Sequence, residues 1–409
     1  MSLPGDQAYQ PNGLKPIKAL PLVLREFIAN QPINEENFNT TWNTVRSGIA
    51  EWDFAILQSF FAGLIDQIKK EPVDFLPTLT LLTRLRDWPY DSGQKRKAAL
   101  LGMLDETIQC VLDIVINQDS DAVTGITWET RHTLNEAQNP DQILVLNVAG
   151  FPAEGEQGTG RFIADAAQLG WHRFITYGWQ GQRFCGCGLG PRSDGIHIEV
   201  YGSSGDYLAS GLDGAQIVVH GDAQDQVGQI LNAGKLVVHG NVGQTFMYGA
   251  KGGEAYVRGN AAGRPLINAV GYPRVVINGT CLDYLAESFM AGDPLNGGGF
   301  VILNGVSIDS HGEIHNLEEP YPGGNLFSLA SGGAIYIRDP YHKVEENQLN
   351  GGHFTPLTDA DWALIQPYLE ENARLFDIPV ERLLTVDGHL AAPNQVYRKV
   401  SAVKLSVLA

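Results

Sequence analysis

Six apolar segments that each end in glycine at nearly equal spacing constrain this chain more than any other feature. They run from Ile198 to Gly202, Ile217 to Gly221, Leu236 to Gly240, Ala255 to Gly259, Val275 to Gly279 and Phe300 to Gly305. Their closing glycines fall 19, 19, 19, 20 and 26 residues apart. A seventh segment, Ala334 to Asp339, follows Gly332-Gly333 and ends in aspartate instead. Strands of four or five residues separated by about fourteen can stack as rungs about 4.8 Å apart, each borrowing its hydrogen bonds from its neighbours. Inward side chains then form apolar ladders, and Gly202, Gly221, Gly240, Gly259, Gly279 and Gly305 are expected where the backbone turns with positive φ or has no room for a Cβ. A β-sandwich would instead need antiparallel hairpins at variable spacing of about 8–12 residues, so a coil is the better reading.

The flanking regions read differently, which makes the chain a multidomain α+β protein. From Leu14 to Gln118 apolar residues recur at helical spacing, as in Phe54, Leu57, Phe60, Phe61, Leu64 and Ile68. Helices are predicted over 17–29, 35–48, 52–70, 76–86 and 94–116, with Asn34 and Pro77 marking two starts. Residues 140–190 read as strand, helix, strand: a small α/β connector in which Gly150 to Gly158 has neither dinucleotide nor phosphate-loop spacing. The predicted division is an all-α domain over 1–125, the connector over 126–190, the repeat domain over 191–345 and a C-terminal helix and tail over 346–409.

With 409 residues the chain is long enough for two or three cores. A net charge of −18 disfavours nucleic acid and anionic membrane as partners. No signal segment or apolar run long enough to cross a membrane is evident. Cys110, Cys185, Cys187 and Cys281 are too few and scattered for a disulfide framework, so a reducing, cytoplasmic location is expected.

Several constellations merit comparison with ordinary structural roles. On a strand Cys185 and Cys187, near Arg183, would share one face and could suit a metal or a disulfide switch, but a metal site needs further ligands and a structural pair of small residues in a turn is expected. His220 and His239 stand one repeat apart, with Tyr201, Arg258 and Asn278 at equivalent positions. Such a column suits an anion or a metal, yet residues just before a corner glycine usually face solvent, and a solvated ladder is expected. Asp309, Ser310 and His311 hold the residue types of a hydrolytic triad, but adjacency gives no triad geometry and a loop is expected. Residues 316–325 read as an exposed excursion and a candidate partner contact. No catalytic, cofactor-binding or metal-binding residue is assigned, and no cofactor is expected.

The stretch from Gly202 to Ala215 followed by Ile217-Val218-Val219, together with Asn260 to Arg264 and Met290-Ala291-Gly292, resembles the glycine-repeat (GXGXG) domain that closes the large subunit of glutamate synthase. The helix near Pro367 to Phe376 and the tail from Leu383 to Lys404 are similar to that family's closing elements. One of the non-catalytic subunits of formylmethanofuran dehydrogenase is similar in period. The resemblance implies a right-handed, single-stranded parallel β-helix of about seven turns that acts as a spacer between glutaminase and synthase parts. It also marks departures: no cysteine precedes Cys110, and no closely spaced triple exists for an iron–sulfur cluster. The expected role is therefore structural, with glutaminase or flavin synthase-type subunits as partners, or a second copy of the chain. A stand-alone enzyme with a site around Arg183, Cys185 and Cys187, or a scaffold subunit of another redox complex such as the formylmethanofuran enzyme, stays open. The coil's two ends are expected to be covered by the connector and by the C-terminal helix or another subunit.

Overall fold

The computed structural model describes residues 32–118 and 120–402, and the helix predicted over 17–29 lies outside them. Two compact units account for these residues, one comprising 32–86 and 90–118, the other 87–89 and 120–402.

The first unit is helical. It contains α1 (Phe38–Gly48), α2 (Phe54–Lys70), most of α3 (Phe75–Asp87) and α4 (Lys97–Val115). Asp53 caps α2 by accepting from the Ile56 N–H at 2.8 Å, and the predicted apolar stripe Leu57, Phe60, Phe61, Leu64 and Ile68 is buried. Its main partner is α4, whose Leu100, Leu104, Ile108, Val111 and Val115 are likewise buried. α1 starts three residues later than the sequence suggests. Asn34 and Asn37 exchange backbone-to-side-chain hydrogen bonds and hold a turn first.

The second unit is built on one large, mostly parallel sheet. In chain order come β1 (Val123–Ile126), β2 (Ile143–Asn147), α5 (Thr159–Gln168), β3 (Arg173–Tyr177), β4 (His197–Tyr201), β5 (Asp213–His220), β6 (Ala233–Val238), β7 (Glu254–Val257), β8 (Arg274–Ile277) and β9 (Phe300–Leu303). A hairpin of β10 (Val306–Ile308) and β11 (Ile314–Asn316) follows, then β12 (Ala334–Arg338) and β13 (Gly352–Thr355). The chain continues through α6 (Asp359–Phe376), α7 (Val380–Leu384), the short β14 (Thr385–Val386) and β15 (His389–Leu390), α8 (Pro393–Val396) and β16 (Tyr397–Ala402). Twelve strands form the sheet in the order β1 to β9, β12, β16, β13. The molecule is thus a mixed α+β protein.

The seven repeat strands pair parallel at a spacing of one repeat. Ile198, Ile217, Leu236, Ala255, Val275, Val301 and Ile335 are successive register partners, as are Val200, Val219, Val238, Val257, Ile277, Leu303 and Ile337. All are buried in one apolar core. β2 and β3 extend the ladder with Leu144 and Phe174, so the connector adds rungs to the sheet. Away from the sheet, parallel bridges join Ser204, Ala223, Val242 and Ala261 in succession, giving four successive repeats a second stacked position.

The turn glycines divide into two kinds. Gly202 and Gly305 have positive φ, +117° and +59°. Gly221, Gly240, Gly259 and Gly279 do not; a Cβ on each would lie 2.5–2.8 Å from the carbonyl oxygen of the glycine one rung earlier. Close stacking of backbone on backbone explains these four.

Left-handed backbone occurs elsewhere in the repeat, mostly at residues other than glycine. Tyr207, Ala209 and Gly211 have positive φ at alternate positions, and so do Thr245, Met247 and Gly249, then Arg264, Leu266 and Asn268, then Tyr284, Ala286 and Ser288. Hydrogen bonds from neighbouring rungs impose it: Ala209 donates to Cys185 O, Met247 to Val227 O, and Leu266 to Phe246 O.

The opposite face of the sheet is covered by α6. Val218, Val237, Tyr256, Val276, Ile302 and Tyr336 form a second core with Ile365, Leu369 and Phe376. The helix expected to close an end of the coil therefore lies on a face. Beyond β12 it is β16 that continues the sheet, antiparallel to β12 and then to β13.

Candidate functional site

Residues just before the corner glycines point to the face that α6 covers, because side chains alternate along a strand and Val219, Val238 and Ile277 take the inner core. The polar column predicted at these positions exists, but Tyr201, His239 and Arg258 are half-buried and the other members are buried. His220 is 4% exposed, Asn278 1% and Asn304 0%. The expectation of a solvated ladder fails because a helix occupies the space where solvent was expected. Tyr201 stacks on His220 at a centroid distance of 4.4 Å, His220 on His239 at 5.4 Å, and His239 meets the edge of Phe376 at 5.0 Å.

Two carboxylates flank the histidines. Asp87, which packs with this unit, places Oδ2 2.5 Å from His220 Nδ1. Glu199 Oε2 lies 2.6 Å from His220 Nε2, and its Oε1 is engaged by His197 Nε2. Trp88 Nε1 donates to Leu375 O at 3.0 Å and fastens the residue next to Asp87. Burial opposes charge on His220, but Asp87 and Glu199 outweigh it and raise its pKa to about 9. Burial likewise opposes ionisation of Glu199, yet the hydrogen bonds from His197 and His220 bring it down to about 2. His239 differs: burial dominates over the attraction of Asp87 and lowers it to about 4. Its Nδ1 is buried without a hydrogen-bond partner, 3.6 Å from Asp87 Oδ2. Among the described residues, Asp87, His220 and His239 are the one group of three whose ligand atoms come within 4.8 Å of one another.

Neutral side chains continue the column. Asn278 and Asn372 of α6 exchange amide hydrogen bonds of 2.8 and 3.0 Å. Asn304 donates to Asn278 Oδ1 at 2.9 Å and accepts from the Tyr397 hydroxyl at 2.8 Å.

The other candidates lie apart from this cluster. Arg183 pairs with Glu154 at 3.1 Å and Asp206 at 3.3 Å. Cys185 and Cys187 sit in a turn around Gly186, whose φ is +76°, as expected from the sequence. Cys185 is fully buried in the inner core, and burial pushes its thiol well above the ordinary range. Cys187 donates to Tyr207 O at 3.0 Å, and burial raises it to about 12. Neither is a thiolate near neutral pH.

Asp309 accepts from the N–H groups of His311 and Glu313 in the β10–β11 turn and pairs with His315 of β11 at 2.7 Å. The excursion at 316–325 is fastened rather than wholly exposed. Tyr321 is 1% exposed, Thr280 donates to Pro320 O at 2.8 Å, and Gln348 donates to Tyr321 O and Gly323 O.

Sequence reasoning found His220 and His239 but missed Asp87 and Glu199. Asp87 is 133 residues from His220 and carries no local signal. Glu199 carries one: it is the charged member of a column otherwise made of Val218, Val237, Tyr256 and Val276.

A search of curated proteins finds no match. A family model described as the GXGXG motif matches residues 177–388, slightly over half of the chain. The matched span begins at the end of β3 and includes every repeat strand as well as α6. At its start, Gly186-Cys187-Gly188-Leu189-Gly190 holds three alternate glycines with φ of +76°, +76° and +86°. Phe184 stacks on Tyr207 at 5.0 Å, and Ala209 donates to Cys185 O, which aligns this turn with the left-handed positions of the next rung. Register, period and matched span agree, and the chain belongs to the GXGXG motif family, which relates it to the C-terminal region of the glutamate synthase large subunit.

Proposed function

We propose that this chain is a structural, assembly-type subunit related to the glutamate synthase large subunit, and that its repeat domain is a right-handed parallel β-helix of about seven turns. The observation that carries the reading is the unbroken one-repeat register from β4 to β12, with the inner ladder filled by apolar side chains. A dry, close-packed coil is stiff. Its natural use is to hold other bodies at a fixed separation, and the partners we favour are glutaminase-type or flavin synthase-type subunits of a cytoplasmic complex. The raised thiol pKa values of the buried Cys185 and the half-buried Cys187 weigh against a thiol-based site at that position. No helix among the described residues is long and apolar enough to cross a membrane.

The test is reconstitution. The purified chain is expected to hydrolyse no glutamine, to carry no flavin or iron–sulfur absorbance, and to co-elute stoichiometrically with such a subunit in size-exclusion chromatography with light scattering. Glutamine turnover or bound flavin in the chain alone would overturn the assignment.

A further inference from the structure

We propose that Asp87, His220 and His239 form a binding site for a divalent transition ion of the zinc type, with Glu199 as the outer partner that orients His220. The leading observation is an orphaned atom. The His239 side chain is 7% exposed, and its Nδ1 is buried with no hydrogen-bond partner. A group left in that state costs about 1–3 kcal/mol, so it is retained only where something else compensates. It faces Asp87 Oδ2 at 3.6 Å, which is too long for a hydrogen bond. The distance is close to the roughly 3.4 Å between two ligand atoms on a tetrahedral ion with bonds of about 2.1 Å.

His220 supplies the second observation. Its Nε2 contacts Glu199 Oε2 at 2.6 Å, which leaves Nδ1 as the atom turned toward Asp87. A histidine that ligates a metal almost always donates its other ring nitrogen to a carboxylate or carbonyl, which fixes the tautomer. Glu199 is in that position and is itself held by His197. The three ligand atoms lie within 4.8 Å of one another, against a maximum of about 4.2 Å between two atoms sharing one ion. Seating the ion at the tetrahedral separation therefore asks the widest pair to close by up to about 1.4 Å, shared between two side chains, and the 2.5 Å contact between Asp87 and His220 to open by about 0.9 Å. The ion takes the place of the proton between His220 Nδ1 and Asp87, and that proton is released. Two imidazoles and a carboxylate suit zinc-type ions better than calcium or magnesium, which prefer oxygen alone. Asp87 and Glu199 together balance the two positive charges. The bound ion would tie the 87–89 segment to two adjacent rungs, β5 and β6.

The experiment uses the full chain, stripped with chelator and titrated with Co²⁺ as the visible probe and then with Zn²⁺. One equivalent of Co²⁺ is expected, with the intense absorption of a four-coordinate site, and Zn²⁺ is expected to displace it. His239→Phe, whose ring can pack on Phe376 as the imidazole does, is expected to abolish the absorption. Glu199→Gln is expected to weaken binding by about 10–100-fold. His315→Ala, an exposed histidine of the β10–β11 hairpin, should bind as the wild type does. Absence of uptake, or equal uptake by His239→Phe, overturns the proposal. X-ray absorption of the zinc-loaded wild type gives a check that needs no variant. Two imidazoles and a carboxylate oxygen at about 2.0–2.2 Å, with one solvent oxygen completing four-coordination, support the site, and any other set of protein ligands overturns it.

Discussion

Gly240 and Leu329 illustrate two opposite demands on single residues in the repeat. Gly240 has an ordinary backbone conformation, but a Cβ there would meet the Gly221 carbonyl oxygen at 2.5 Å, and backbone stacked on backbone has little room to yield. Gly240→Ala is expected to cost about 1–3 kcal/mol, read as a lowered denaturant midpoint at unchanged slope. Leu329 has the reverse problem: φ is +55° while the side chain is 75% exposed, so strain is accepted with little burial in return. Left-handed backbone costs an L-residue about 1–2 kcal/mol, partly offset by the added chain entropy of glycine when unfolded. Leu329→Gly is therefore expected to raise stability by about 0.5 kcal/mol, and a clear loss would contradict the strain argument. These residues also mark what the sequence makes legible. Glycine spacing located the rungs correctly, whereas left-handed positions held by Met247, Leu266 or Phe327 have no compositional signature. Their conformation is imposed by bonds to the preceding rung, as from Met247 N–H to Val227 O and Phe327 N–H to Leu285 O.

Among the elements, α6 decides how the sheet's outer face is used. Two polar ties supplement its apolar stripe. At its start Asp361, fully buried, accepts from Lys399 and from the Tyr336 hydroxyl, each at 2.7 Å. Toward its end Glu371 pairs with Lys235 at 2.7 Å and with Arg374. Burial pushes Asp361 up, but the hydrogen bonds from Lys399, Thr358 and Tyr336 prevail and leave it below the usual range. Glu371 is brought down to about 2 by the Arg374 hydrogen bond, against burial and with help from Lys235. Because both folded pKa values are depressed, their stabilisation is complete above the ordinary carboxylate range near 4–4.5 and is lost as pH falls toward 2. Hydrogen exchange of α6 is expected to accelerate over that window in the wild type, and less so in Glu371→Gln. The Asn278–Asn372 pair gives a second handle. Asn372→Ala removes two of the hydrogen bonds of the buried Asn278 amide, leaving those with Val257 O and Asn304, and is expected to cost about 1–3 kcal/mol, with a coupling of about 0.5–3 kcal/mol in the double-mutant cycle. The helix itself was legible only through the family resemblance, which placed it near Pro367 to Phe376. Its placement on a face was not, because Val218, Val237 and Val276 read equally well as members of a core on either side.

The repeat-bearing unit as a whole is governed by order: repeats adjacent in sequence are adjacent in space, run the same way, and advance by one rung each. The period of 19 made that legible, since antiparallel pairing needs no constant spacing. The polar cluster was only half legible because stacking explains His220 beside His239, while Asp87 arrives from a distant part of the chain. A ruler along one column tests the order directly. Gly211, Ile230, Gly249, Asn268, Ser288 and Leu329 are equivalent positions on successive rungs, joined by backbone bonds such as Ile230 N–H to Tyr248 O and Ser288 N–H to Ser328 O. Pulsed dipolar spectroscopy between a spin label at position 211 and labels at 268, 288 and 329 should give backbone separations of about 14, 19 and 24 Å, a steady rise of about 4.8 Å per rung. Distances that alternate, or fail to grow with the number of intervening repeats, would contradict a parallel coil and the supporting role built on it.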